Sequence, residues 1–447
     1  MHRFEFLRWQ WLFLFLFGLL TACGPATPFP TATSTPAAAA TPLPKPTATP
    51  TPTTTPHPPT PTPSRLAQML PALEAEVSRL RGLATPPAVQ RVQVSPPALA
   101  RRVQEARQHD PTLPTTAWQA LGLLPREAAS PWPAFAPEDG SAWAWFDPQS
   151  RILFFAAPSP AEEDAFRLAY VYAYSRALQP AQAAACADLT DACLAARAQA
   201  VGDAVFTEYL WFFAAGEPPS PQATTSSTAA TPVPPAVTRQ QQFPQSAGFR
   251  WALMLSQRGQ WPLPPTAWAQ PPTSTEQILA PARYPHDQPQ AVALPAVDAL
   301  QRALGPAWRP AGQGDLGVWW LDLMLSAGVT PSSRLPADQA LTAVIGWQGG
   351  RWVAFRNQNA VPILLAVVQW DTAEDTVAFV KAFVRYARGR YGPLADRAYR
   401  RLYWQSAHEA AVLAYDARQR RTVWAFAPNR ETAEKLLQAA QAPGFAP

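Results

Sequence analysis

Between Gly24 and Ser64 the chain is built almost wholly of Pro, Thr, Ala and Ser, with the phrase TPTP recurring. A segment of that composition has nothing to bury and no regular hydrogen bonding to gain, so it stays an extended, disordered stalk. At ~3.1 Å per residue in polyproline II it reaches on the order of 100 Å. Folding is thereby confined to the 383 residues that remain when the first 64 are taken from 447. A second stretch of the same kind, EPPSPQATTSSTAATPVPPAVT at 217–238, is expected to be a disordered loop inside the body. Aromatic residues make up 11% of the chain and include 18 tryptophans, enough apolar mass for two cores rather than one.

Ahead of the stalk stands MHRFEFLRWQWLFLFLFGLLTAC, with arginines at its start and an uninterrupted apolar run from Trp11 to Leu20. The order of charged, apolar and small-residue segments reads as a secretory signal over residues 1–22, too short for a stable membrane span. Leu20, Thr21, Ala22 and Cys23 resemble a bacterial lipobox. That resemblance implies that Cys23 carries the lipid and that the protein works on the extracytoplasmic side of a cell membrane, with the membrane as its first partner. Losing Arg3 and Arg8 together with Glu5 lowers the formal charge from +5 to +4. So small a charge over a body of this size is too weak to imply a nucleic-acid partner, and none is expected.

Two further cysteines lie in QAAACADLTDACLAARAQ. On one continuous helix Cys186 and Cys193 would be ~10 Å apart, too far for a disulfide, but Asp188 and Thr190 are good N-cap residues and mark a break between two helices. A short-loop disulfide is therefore expected in an oxidising compartment, with two reduced structural cysteines as the alternative.

The body reads as α+β. Helical spacing predicts helices from Arg65 to about Leu83, over PPALARRVQEARQ, from Pro160 to Leu178, from Asp191 to about Phe213 and over FPQSAGFRWALMLSQRGQW. QRVQVS reads as a strand, and WAWFDPQSRILFFAAP as a hairpin turning at DPQS. From about residue 291 helices are predicted at 294–304, 316–327, 336–345, 372–388 and 430–441, with strands at 351–357, 363–370, 410–415 and 421–426. The expectation is a mainly helical domain over 65–290, then a smaller α+β domain with an antiparallel sheet over 291–447. Helix 160–178 is apolar on nearly every side, which marks a buried helix.

Six stretches occur in an order that carries a family resemblance: RGLATPPAVQRVQVSPPALARRV, WQALGLLP, WFDPQSRILFFAA, FPQSAGFRWALMLSQRGQW, PPTSTEQILAPARY and GWQGGRWVAF. Together they resemble a family of bacterial, Chloroflexi-type extracytoplasmic lipoproteins and secreted proteins similar to HExxH zinc metallopeptidases. In that family the segment matching Tyr172 to Gln179 reads HEYTHALQ, and the following helix carries EGDA. Two histidines one helical turn apart and a glutamate from the second helix hold zinc, and the intervening glutamate is the base. Here the four positions are Tyr172, Ala173, Arg176 and Val201. The resemblance thus implies a degenerate member: a guanidinium stands where a cation should bind, so no metal and no cofactor are expected. Arg176 is expected either to pair with an acid such as Asp203 or to snorkel into a solvent cleft.

No GxSxG elbow, phosphate loop or EF-hand phrase provides another anchor, and His408 with Glu409 begins an HExxH phrase that AAV does not complete. FVRYARGRYGPLADRAYRRLYW interleaves Arg385, Arg388, Arg390, Arg397, Arg400 and Arg401 with aromatics. It reads either as a surface for an anionic envelope polymer or lipid head groups, or as a solvated helix end plus a strand. The expected function is a non-catalytic binding or scaffolding role at the envelope, with a polymer or protein partner. The alternatives are a hydrolase with a relocated carboxylate site, for which Asp188, Asp191, Asp203 and Glu208 are candidates, and a structural spacer.

Overall fold

The computed structural model describes residues 65–128, 132–136, 142–181, 188–214 and 233–440. The signal, the stalk, Cys23, Cys186 and residues 217–232 of the second Pro/Thr stretch lie outside them. Helix α1 (Arg65–Leu80) buries Leu70, Leu73 and Val77 on one face, as its spacing requires. Strand β1 (Arg91–Val94), α2 (Pro96–Arg107) and the short α3 (Thr115–Ala120) follow. The predicted hairpin forms β2 (Ala144–Asp147) and β3 (Ile152–Ala156). Its turn is held by the Asp147 carboxylate, which accepts from Gln149 N at 3.0 Å and from Ser150 Oγ at 2.6 Å. β1 adds to β3 in parallel, giving a three-stranded sheet of order β1-β3-β2.

A 3₁₀ turn at Pro160–Glu162 opens α4 (Glu163–Ala177). Ser159 gives its backbone N–H and its hydroxyl to the Glu162 carboxylate at 3.0 and 2.6 Å, and that bonding lowers the Glu162 pKa. From Ala169 to Ala177 every residue of α4 is buried, as its all-round apolarity demands. Helix α4 packs on α1, the hairpin and α5 (Asp191–Ala214) around Phe155, Phe166, Tyr170 and Tyr174.

Helix α6 (Pro235–Gln257) begins inside the stretch expected to be disordered up to residue 238. The reason is local: Pro235 stands in the first turn, where its fixed φ suits a helix and its missing N–H costs nothing. α5 and α6 touch main chain to main chain. A Cβ built on Gly202 would sit 2.1 Å from the Gly248 carbonyl carbon, and one on Gly248 only 2.0 Å from Ala198 O. Gly248→Ala is therefore expected to force the helices apart and cost about 2–3 kcal/mol, read as a lower denaturant midpoint at unchanged slope.

After α7 (Pro265–Ala269) and α8 (Thr275–Leu279) comes the sheet-bearing part. Its elements are α9 (Val297–Leu304), β4 (Arg309–Asp315), α10 (Val318–Ser326), α11 (Ala337–Thr342), β5 (Trp347–Arg356), β6 (Pro362–Trp370) and α12 (Ala373–Tyr391). They continue through β7 (Leu394–Ala398), β8 (Arg401–Gln405), β9 (Ala410–Asp416), β10 (Arg421–Ala427) and α13 (Arg430–Ala440). The seven strands form one antiparallel sheet, β4-β5-β6-β10-β9-β8-β7.

Alternation along the central strands divides the apolar side chains between two faces. Ile363, Leu365, Val367, Val423 and Ala425 meet α9 and α13, while Leu364, Ala366, Val368, Trp370, Trp424 and Phe426 meet α10 and α12. The second of these clusters also takes in Trp118, Phe206, Phe243 and Trp251, so side chains from both sides of residue 290 share one core. The described residues belong to one compact unit with a mostly helical first part and a sheet-bearing second part. Among the described residues no helix is long and apolar enough to cross a membrane.

Candidate functional site

Tyr172, Ala173 and Arg176 on α4 and Val201 on α5 are all buried. The two helices that carry them are in contact. Arg176 Nη1 donates to Gln179 Oε1 at 2.7 Å, and the Gln179 amide donates in turn to Ala200 O at 2.7 Å and Asp203 Oδ2 at 2.9 Å. Gln179 thus stands between Arg176 and Asp203, the pair expected from the sequence. The direct ion pair to Asp203 comes from Arg81, 3.0 Å away, which also donates to Thr207 Oγ1 at 2.8 Å. Trp261 Nε1 donates to the other carboxylate oxygen of Asp203 at 3.0 Å. The α4–α5 junction is therefore filled by a polar network of protein groups, as burial of charge requires. Arg81 belongs to the RGL phrase of the resemblance, the one sequence signal that marked it.

The four acids considered for a relocated site do not share a cleft. Asp188 is exposed and accepts from Thr190 N and Oγ1 at 3.1 and 2.8 Å, which holds Thr190 to cap α5 by accepting from Cys193 N at 3.3 Å. Asp191 and Asp203 stand on one helix twelve residues apart, ~18 Å along its axis. Asp191 is buried against α8, where Thr275 N and Oγ1 donate to it at 2.8 and 2.6 Å, and Thr275 Oγ1 accepts from Trp319 N at 3.0 Å. Burial pushes the Asp191 carboxyl up to about 6 despite the opposing hydrogen bonds from Thr275. Glu208 is half-buried one turn beyond Asp203. Cys193 is disulfide-bonded, and its expected partner Cys186 lies outside the described residues.

The fold assembles a different set of acids. Glu276 on α8, Asp287 in the loop after it and Asp371 at the end of β6 bring carboxylate oxygens within 4.8 Å of one another. Arg283 lies among them, with Nη1 at 2.5 Å from Asp287 and 2.6 Å from Asp371 and Nε at 3.4 Å from Glu276. Glu276 is 1% exposed and accepts from Gly346 N at 2.6 Å, while Gly346 O accepts from Asp371 N at 2.7 Å. Burial pushes the Glu276 carboxyl up to about 8, against the Gly346 bond and the Arg283 charge, which lower it. Three carboxylates offer the hard oxygen donors that a divalent cation takes, and the guanidinium occupies the place between them. Glu276, Arg283 and Asp287 are close in sequence, but nothing in the chain marks Asp371 as their neighbour.

The six arginines of the aromatic cluster do not make one free face. The Arg390 side chain is only 6% exposed, paired with Glu409 at 3.0 Å and donating to Tyr386 Oη at 2.7 Å. Arg385 donates to Gln339 Oε1 at 2.7 Å, and Arg400 pairs with Asp416 at 2.5 Å. Arg388 stands in the last turn of α12, Arg397 on edge strand β7 and Arg401 at the start of β8. The end of a helix and a strand hairpin divide these side chains between elements, and Arg385, Arg390 and Arg400 are each held by a partner of their own.

No curated protein and no solved structure matches this chain. Residues 307–437, which take in the seven-stranded sheet with α10, α11 and α12, match the model of a domain of unknown function, DUF8575.

Proposed function

We propose that this protein is a lipid-anchored protein of the cell envelope, held outside the cytoplasm through Cys23, whose helical part is a degenerate HExxH-like scaffold and whose chemistry is that of a hydrolase with a relocated carboxylate site at Glu276, Asp287 and Asp371. The observation that carries the site is a buried glutamic acid, pushed up to about 8, beside two half-exposed aspartates within 4.8 Å. A carboxyl that keeps its proton at neutral pH next to carboxylates paired with Arg283 supplies a proton donor and proton acceptors in one place. The α4–α5 junction contributes no chemistry: Ala173 cannot take a proton, Val201 offers no lone pair, and Arg176 brings a positive charge.

Arg283 favours a second reading, a binding or scaffolding protein. Its guanidinium already contacts all three acids, which then act as a clamp tying the α8 segment to the end of β6. Assays of the purified chain against ester, glycoside and peptide substrates separate the two. The hydrolase reading expects turnover that Glu276→Gln and Asp371→Asn each reduce by at least about 100-fold while the fold is kept. Absence of turnover, with both variants merely less stable, leaves the clamp. Elemental analysis is expected to find no stoichiometric zinc in either case.

A further inference from the structure

Helices α1 and α5 run antiparallel. Arg81, just past the end of α1, meets Asp203 and Thr207, whereas Glu76 accepts from Trp211 Nε1 at 2.6 Å, so lower numbers on α1 face higher numbers on α5. Arg65, where the stalk joins the body, therefore lies toward the end of α5 that terminates at Ala214. That end is aromatic. Tyr209 and Phe213 meet at a tilt, 4.6 Å between ring centroids, Phe212 meets Phe213 edge-on at 5.3 Å, and Phe249 of α6 meets Tyr209 at 5.3 Å. Phe213 is 43% exposed, one of the few large apolar side chains so exposed among the described residues, and Tyr209, Leu210, Leu66 and Met69 are half-buried.

We propose that this aromatic end of α5 is a membrane-contact surface that seats the body on the lipid bilayer. The occupant follows from where the chain comes from: the surface lies at the end of the body where the stalk enters, and on the lipid-anchor reading the far end of that stalk is held in the membrane. Aromatic side chains partition into the boundary between head groups and acyl chains, where a rigid apolar ring is buried at small entropic cost. The local charges give no electrostatic attraction, because Arg65 and Arg167 are paired with Glu163 at 2.6 Å each and stand beside Glu162 and Asp164. The contact is thus hydrophobic, and it sets the body on the bilayer rather than at the full reach of the stalk.

The test is sedimentation of the mature chain carrying Cys23→Ser, without its lipid, with phosphatidylcholine vesicles. The expected result is partitioning that persists in about 0.5 M salt, falls roughly tenfold in Phe213→Ser and is retained in Phe213→Leu. Equal thermal melting of the two variants shows that the fold is intact. No partitioning of the unlipidated chain, or partitioning that Phe213→Ser leaves unchanged, overturns the proposal. Because acylation plays no part in this measurement, a chain that proves not to be acylated fails the anchor reading separately, by mass analysis of Cys23.

Discussion

Replacing Arg81 with alanine is expected to destabilise the protein by about 3–5 kcal/mol, because it breaks a buried ion pair from one side. Asp203 has no exposed surface, and the Arg81 side chain is 8% exposed, so removing the guanidinium strands a carboxylate that water cannot reach. Gln179 and Trp261 would still donate to it, but neither brings a charge. The loss should appear as a lower urea midpoint at unchanged slope. In the double variant Arg81→Ala/Asp203→Asn a large part should return, because a neutral amide is far cheaper to bury than an unpaired carboxylate. A loss below about 1 kcal/mol in Arg81→Ala would place this pair with ordinary surface ion pairs and sink the idea that it holds α1 to α5.

The second large effect is on pH dependence. Glu276 rises from 4.5 to about 8 and Asp191 from 3.8 to about 6, both because burial disfavours the charged form. A carboxyl raised on folding binds its proton more tightly in the folded state, so its contribution is complete below the unfolded pKa and is lost as pH climbs through the folded one. Asp191 should therefore weaken the fold between about pH 4 and 6, and Glu276 between about pH 4.5 and 8. Each group can add a slope of up to about 1.4 kcal/mol per pH unit over its window. The melting temperature is expected to be higher at about pH 5 than at about pH 8. Glu276→Gln should flatten the upper part of that decline and Asp191→Asn the lower part. A melting temperature that rises steadily from pH 5 to 8 would contradict this assignment.

How much of this could be read from the chain differs from element to element, and the difference is physical. Helices α4 and α5 announce themselves because an apolar surface on every side has only one stable place, inside a core. The central strands β5, β6, β9 and β10 are equally plain, since runs such as PILLAVVQW must be covered on both faces. The edge strands β4 (RPAGQGD) and β7 (LADRA) carry no such signal, because an edge strand is defined by a neighbour's hydrogen bonds and these two are largely exposed. The change from a mostly helical first part to a sheet-bearing second part is legible as a change of pattern along the chain. The core shared by the two parts depends on contacts such as that of Trp118 with Trp320, between residues far apart in the chain.

The candidate site divides the same way. That Tyr172, Ala173, Arg176 and Val201 cannot serve as a zinc site follows from their side-chain chemistry, position by position, and needs no coordinates. What stands in that place does: Arg81 is 122 residues from Asp203, and only the antiparallel packing of α1 on α5 brings them to 3.0 Å. Likewise, the local spacing of Glu276, Arg283 and Asp287 is written in the sequence, but Asp371 joins them through the pairing of Gly346 with the end of β6. By itself the sequence determined which segments must be buried and which side chains lack the lone pairs for a metal, because those are properties of composition and of single residues. Which charge meets which, and so where a proton is held and where a guanidinium is spent, was decided only by the tertiary structure, because such energies depend on distance and burial between residues the chain keeps far apart.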